Sequence, residues 1–337
     1  MLDTTRFVIP IEQGVNAVTE YAKRYPSRAS HKWGSSVKVP GPLSINAFVK
    51  PTFDGTGLVI EACAPRFLLG HNVFGSDDIQ GQISAIAQYI EGEMGLGKEL
   101  SNALGKAEFH RLDLVVNLKL DDGTGPEDAL EALDYRLNAM GSSLATYARF
   151  GRVESLYRNP RSKGRDLFYN KARHVAVAHT AISPLLKGRQ RIKRWARCVL
   201  RYETRLGWSE LRKDPRQLHR LGVWTPKLVR EVISERLARI KVDGGRVIPI
   251  PRAQLSRLSP RLRAWAMLHA YCAPLQKALD RRTYRRARER ILKDAGIDLF
   301  DKPSKRSGMS LERLVNDPAR RIYGRPRWAR KRLKKPS

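Results

Sequence analysis

Arg165-Asp166-Leu167-Phe168-Tyr169-Asn170-Lys171, read as a β-strand, points Leu167, Tyr169 and Lys171 to one face of a sheet and Phe168 and Asn170 to the other. A phenol then stands beside an ammonium. That pair suits attack on a phosphodiester, because the cation favours phenolate and binds the phosphate under attack. The plain alternative is an edge strand with a half-buried tyrosine and a solvated lysine, since structural tyrosines outnumber catalytic ones.

Working outward, several segments show the same alternation. Residues 57–64 (GLVIEACA) read as a buried strand interrupted by Glu61. Residues 109–120 (FHRLDLVVNLKL) set Arg111, Asp113 and Val115 against His110, Leu112 and Leu114. Residues 197–206 (RCVLRYETRL) set Arg201, Glu203 and Arg205 against Leu200, Tyr202 and Leu206. Residues 4–10 add a short strand. Residues 144–157 pair with 165–172 across a basic turn carrying Arg161 and Lys163. Three carboxylates therefore fall in apolar strands, where an acid is costly unless paired or metal-bound. Glu61 and Glu203 are each open to two readings, an ion pair with arginine or a cation ligand; for Glu203 the flanking Arg201 and Arg205 supply an Arg-Glu-Arg ladder.

Helices interleave and then take over. Residues 11–56 are rich in Ser, Gly, Pro and Lys and read as loop-dominated. Ser76 or Asp77 is placed to cap a helix to about Glu93, with Ile79, Ile83, Ile86 and Ile90 at helical spacing. Pro126 opens another, with Leu130, Leu133, Leu137 and Met140 on its apolar face. Beyond residue 207 the pattern is helical: 225–240 with a Thr cap and Pro at its first position, 260–279, and 283–295 opening on Thr283 and ending at Gly296. The last two resemble a helix-turn-helix whose second helix presents Arg285, Arg286, Arg288 and Arg290; the alternative is a basic helix that coats phosphate without reading sequence. The expected fold class is α+β: a mainly antiparallel N-terminal sheet with helices (1–206), a basic all-α part (207–300), and a flexible basic tail (301–337) in which Trp328 is interleaved among cations.

Charge is the strongest compositional signal. The net charge is +31, yet residues 1–150 hold 14 Lys and Arg against 18 Asp and Glu, while residues 151–337 hold 50 against 15. Such asymmetry points to a polyanionic partner, since neutralising phosphates releases condensed counterions. There is no apolar run of membrane-spanning length, and Met1-Leu2-Asp3-Thr4-Thr5-Arg6 lacks the form of a signal peptide. A soluble cytoplasmic protein without a membrane partner is expected. Cys63, Cys198 and Cys272 are distant and never form a CxxC, which argues against a disulfide framework or a thiolate zinc site.

Leu69-Gly70-His71-Asn72-Val73-Phe74-Gly75, Arg111-Leu112-Asp113, Tyr169-x-Lys171 and Arg201-Tyr202-Glu203-Thr204-Arg205 occur in this order. As an ordered set they resemble the filamentous-phage replication initiators, the gene II protein family, over about residues 58–206, with a weaker likeness to about residue 299. The resemblance implies a rolling-circle initiator with a nuclease-like first domain, acting in the host cytoplasm. It would nick one strand at a phage origin, leave a 3′-hydroxyl for a host DNA polymerase, and rejoin the displaced strand, with a host helicase and self-association at the origin. Tyr169 would be the nucleophile, assisted by Lys171. Many rolling-circle initiators hold their metal through His-x-His, which is absent here. Asp113, Glu203 and Glu61, with His71 in the preceding loop, are the candidate ligands for Mg²⁺ or Mn²⁺. Arg111, Arg161, Lys163, Arg165, Arg201, Arg205, Arg285, Arg286 and Arg288 are the candidate DNA contacts. Two other readings stand beside this one, a non-enzymatic DNA-binding regulator and a plasmid- or transposon-type nicking enzyme.

Overall fold

The computed structural model describes residues 1–12, 14–30, 36–121, 124–139, 144–149, 152–158, 165–177, 182–240, 246–247, 252–270, 275–299 and 309–330. Its strands are β1 (Leu2–Pro10), β2 (Ala29–Ser30), β3 (Ser36–Pro40), β4 (Asn46–Pro51), β5 (Gly57–Cys63), β6 (Glu108–Lys119), β7 (Leu144–Arg149), β8 (Arg152–Arg158), β9 (Arg165–Tyr169), β10 (Val199–Gly207), β11 (Arg246–Val247), β12 (Met309–Ser310) and β13 (Arg321–Ile322). Eleven of them join one sheet in the order β2-β3-β4-β5-β1-β6-β10-β9-β8-β7, with β13 also pairing β6, while β11 and β12 form a separate pair. Among the described residues every pairing in the large sheet is antiparallel.

The helices are α1 (Gly14–Arg24), α2 (Ala64–Leu69), α3 (Ile79–Met94), α4 (Glu99–Ala103), α5 (Pro126–Ala139), α6 (Lys171–Val177), α7 (Arg189–Ala196), α8 (Trp208–Lys213), α9 (Pro226–Ala238), α10 (Arg252–Leu255), α11 (Pro260–Ala270), α12 (Leu275–Ala278), α13 (Arg281–Ala295), α14 (Leu311–Asn316) and α15 (Arg327–Arg330). The protein is thus α+β, with a helical C-terminal part. Ile79, Ile83, Ile86 and Ile90 of α3, Leu130 and Leu133 of α5, and Val229, Val232 and Ile233 of α9 pack with Leu112, Leu114, Leu200 and Tyr202 of the sheet in the main core. The 3.6-residue spacing on each helix meets the two-residue alternation on each strand, so both signals point to one interface. Leu311, Leu314 and Val315 of α14 join this core, whereas Leu258, Ala266, Ile291 and Ala295 of the helices between 252 and 299 form a cluster of their own.

β6 is buried from Leu112 to Leu118 on both faces. Its second face, at Val115, is covered by Val73, Phe74, Val175 and Ile192. A central strand walled on both sides explains why its polar residues need internal partners.

Several local expectations are corrected. Residues 11–56 are not loop-dominated: α1, β3 and β4 lie there. Their strands are short and broken by Pro40, Gly41 and Pro42, which hid the period. The segment 144–157 is a hairpin, β7 and β8, rather than one strand. α3 is capped by Asp78, whose side chain accepts from Gly81 N, and α13 by Asp280, whose side chain accepts from Thr283 N at 2.9 Å. Thr283 is the capped donor there, not the cap. The chain from 309 to 330 is packed rather than a free arm: β13 pairs with β6, and Trp328 meets Phe74 edge-on at 5.7 Å with Arg191 over its ring at 4.5 Å. An aromatic ring gains more by burial against Phe74 than by exposure among cations. Among the described residues no helix is long and apolar enough to cross a membrane.

Candidate active site

Tyr169 is the last residue of β9, opposite Arg201 of β10 in the antiparallel register. The strand stops there, two residues short of the expected Lys171. Asn170 breaks it, because its Oδ1 accepts from Arg173 N at 3.1 Å and so caps α6. Lys171 is the first residue of that helix and is fully buried. Tyr169 and Lys171 still meet, though not as neighbours on a strand face. Lys171 Nζ lies 5.5 Å from the centre of the Tyr169 ring and donates to Asn72 Oδ1 at 2.8 Å.

Asn72 comes from the run after α2. Gly70, at φ +72°, ends that helix in the left-handed conformation, and a Cβ there would stand 2.7 Å from Leu43 Cδ1. The chain then turns to bring His71 and Asn72 beneath the sheet. Arg201, with no exposed surface, is held by Asp3 Oδ1 at 2.9 Å and by the carbonyls of Asn72 and Val73. Its guanidinium carbon lies 5.9 Å from the Tyr169 ring centre. On the open side, Tyr169 Oη donates to Glu203 Oε2 over a long 3.4 Å. Tyr169, Glu203, Asp3, Asn72, His174 and Glu154 line a cavity of about 350 Å³.

The electrostatics follow from this burial. Withdrawal from water holds the Tyr169 phenol well above its ordinary range, with Arg201 opposing. The same cause, reinforced by the Arg201 charge, brings Lys171 down to about 7. Glu203 is pushed up to about 7 by burial and then by the Asp3 and Asp113 carboxylates. The cavity wall therefore carries a neutral phenol next to a carboxylate whose proton affinity lies near neutrality, a fit to proton transfer at physiological pH.

His71 is buried and its Nδ1 accepts from Val73 N at 3.2 Å. Protonation would set an N–H against that donor. Burial, and next the Lys171 charge, lower its pKa to about 3. Because the folded value lies below the ordinary 6.5, the unfolded chain binds the extra proton between pH 6.5 and 3, and stability falls as pH drops through that window. We expect the His71 share of this loss to approach about 1.4 kcal/mol per pH unit. Denaturant midpoints against pH for wild type and His71→Gln check it: the variant's slope should be shallower.

The remaining sequence candidates are placed as follows. Glu61 pairs with Arg6 at 2.6 Å and Arg111 at 3.5 Å. Asp113, only 1% exposed at its side chain, is clamped by Arg111 Nε at 3.0 Å and by Arg205 Nε and Nη2 at 2.9 and 3.0 Å. The ion-pair reading thus wins for Glu61, while Glu203 turns toward Tyr169. Among the described residues no three His, Cys, Asp or Glu side chains converge as a metal site, so Asp113, Glu203, Glu61 and His71 do not fit a shared Mg²⁺ or Mn²⁺. Of the DNA candidates, Arg201 is sealed inside, and Arg111 and Arg205 are engaged by Asp113. Arg288 pairs with Asp298 at 2.7 Å, and Arg285 with Glu289 at 3.3 Å. Arg165 and Arg286 carry no carboxylate partner among the described residues, and Arg161 and Lys163 lie outside them. Sequence reasoning missed Asp3, Asn72, Glu154 and His174. Only Asn72 had a signal, its place in the GHNVFG run.

The model of a family described as the N-terminal part of a replication-associated protein, the phage gene II protein, matches residues 1–224, which contain every residue of this cavity. No match was found among curated proteins or among solved structures. The chain belongs to this family, which makes it a phage replication initiator with DNA as its partner.

Proposed function

We propose that this initiator nicks one strand of the double-stranded phage origin by transesterification at Tyr169. The observation that carries the reading is the Tyr169 hydroxyl in the wall of a cavity, with Glu203 as its hydrogen-bond acceptor and the Arg201 guanidinium and Lys171 amine close to its ring. Glu203 takes the phenol proton. The phenolate oxygen attacks the scissile phosphorus in line, forming the Tyr169 Oη–P bond as the P–O3′ bond breaks, and the departing 3′-oxygen takes a proton from water. Arg201 and Lys171 favour the phenolate as it forms and offset charge developing beside it.

The product is a 5′-phosphotyrosine and a free 3′-hydroxyl, which primes a host DNA polymerase while a host helicase opens the duplex. Because the ester keeps the energy of the broken bond, a later 3′-hydroxyl attack rejoins the displaced strand without ATP. No convergent ligand set for a divalent metal occurs among the described residues, and assay with Mg²⁺, Mn²⁺ and chelator tests whether nicking needs one.

The test is incubation with supercoiled circular DNA carrying the origin, followed by a denaturing gel and peptide mapping of any DNA adduct. An adduct on Tyr169 is expected. Nicking with the adduct mapped to another tyrosine would move the nucleophile, and tight origin binding without nicking would favour a non-enzymatic regulator.

A further inference from the structure

We propose that the groove between α11 and α13 holds a single DNA strand, with a base stacked on the Arg261–Trp265 pair and phosphates against Arg286 and Lys293. The site lies beyond residue 224, outside the part of the chain that the family model matches. It rests on DNA being the initiator's partner, not on the chemistry at Tyr169.

The groove has a volume of about 800 Å³. Its wall bears Trp265, half-buried, with the Arg261 guanidinium 4.8 Å from the ring centre. The carboxylates in its lining are already engaged, Glu289 by Arg285 at 3.3 Å and Asp294 by Arg290 at 3.0 Å. Arg257, Arg261, Arg286 and Lys293 line the same groove without a carboxylate partner among the described residues. A concave surface with four uncompensated cations and a stacked guanidinium–indole plane complements a polyanion that also offers flat bases.

The form of the surface selects the strand. A helix that reads duplex DNA enters the major groove as a convex rod with its side chains projecting. On α13, by contrast, Arg285, Arg288 and Arg290 are turned onto Glu289, Asp298 and Asp294. Arg286 and Lys293 instead line the cleft beside Trp265, where a flexible single strand can lay a base on the ring while its phosphates meet both cations.

Full-length protein is titrated with fluorescent oligo(dT) of about twelve nucleotides, with the matching dA·dT duplex, and with oligo(U), without divalent cations so that no strand is cut. Single-stranded DNA should bind more tightly than duplex. Exchanging both Arg286 and Lys293 for glutamine should weaken oligo(dT) binding about tenfold and flatten the slope of log K against log salt by about 1.4, or about 0.7 per lost contact. Trp265→Leu should also weaken it about tenfold, whereas Trp265→Phe should stay within about threefold. Thermal melts check that Trp265→Leu remains folded, and the exposed charge pair needs no such control. Equal binding of duplex and single strand, preference for oligo(U), or an unchanged affinity and salt slope in the charge variant would each overturn the proposal. A failed Tyr169 adduct with intact oligo(dT) selectivity would sink only the transesterase reading.

Discussion

Tyr169→Phe is expected to abolish nicking and the covalent adduct, by about 10³-fold or more, while origin binding stays within about threefold. The size of the effect follows from the roles assigned. The hydroxyl is the atom that forms the new bond, and no other group among the cavity residues stands with an acceptor at 3.4 Å and two cations behind it. Stability should change by less than about 1 kcal/mol, because the hydroxyl's one long hydrogen bond is replaced by water at Glu203. The ring itself keeps its packing against Lys171, Arg201 and His174. Cleavage of supercoiled origin DNA, filter binding and a melting curve together check this. Nicking that survives in the variant would remove Tyr169 from the chemistry, and binding lost as steeply as nicking would make its role structural.

Asp113→Ala is expected to cost about 3 kcal/mol of stability. The side chain is 1% exposed and neutralises two guanidiniums that are themselves 23% and 20% exposed. Removing it leaves Arg111 and Arg205 facing each other across adjacent strands, with Glu61 at 3.5 Å compensating Arg111 in part. Partial access to water keeps the loss near the lower end of the range for a broken buried pair. Any dependence of nicking on Mg²⁺ should be unchanged in the folded fraction, because Asp113 is held by Arg111 and Arg205 rather than free to bind a cation. A melting curve and a Mg²⁺ titration of nicking separate the two effects. A large shift in Mg²⁺ dependence with little loss of stability would restore Asp113 as a ligand.

The outcome at Asp113 illustrates what a single strand's pattern can and cannot say. Alternation along FHRLDLVVNLKL puts Arg111, Asp113 and Val115 on one face, and RCVLRYETRL puts Arg201, Glu203 and Arg205 on one face. Both hold in the structure, since the period of two is a property of the pleat itself. The alternation says nothing of which strands adjoin. Arg205 reaches Asp113 across 92 residues because β10 lies beside β6, and Glu61 reaches Arg6 because β5 lies beside β1. Two of the carboxylates that looked like a metal set when read one strand at a time, Glu61 and Asp113, became ion-pair partners once strand order was imposed, and the third, Glu203, became the acceptor of the Tyr169 hydroxyl.

By itself the sequence determined the α+β class, the faces of β6, β9 and β10, the cap of α9 at Thr225 and the end of α13 at Gly296, each a matter of local period or local backbone conformation. Tertiary structure alone decided that Lys171 leaves the strand and returns under the Tyr169 ring, that Asn72 receives its ammonium from 99 residues away, and that Arg201 is sealed on Asp3 instead of facing phosphate. Those contacts depend on which buried charges find each other in the folded chain. The cost of leaving one unpaired is set by burial, which no stretch of sequence contains on its own.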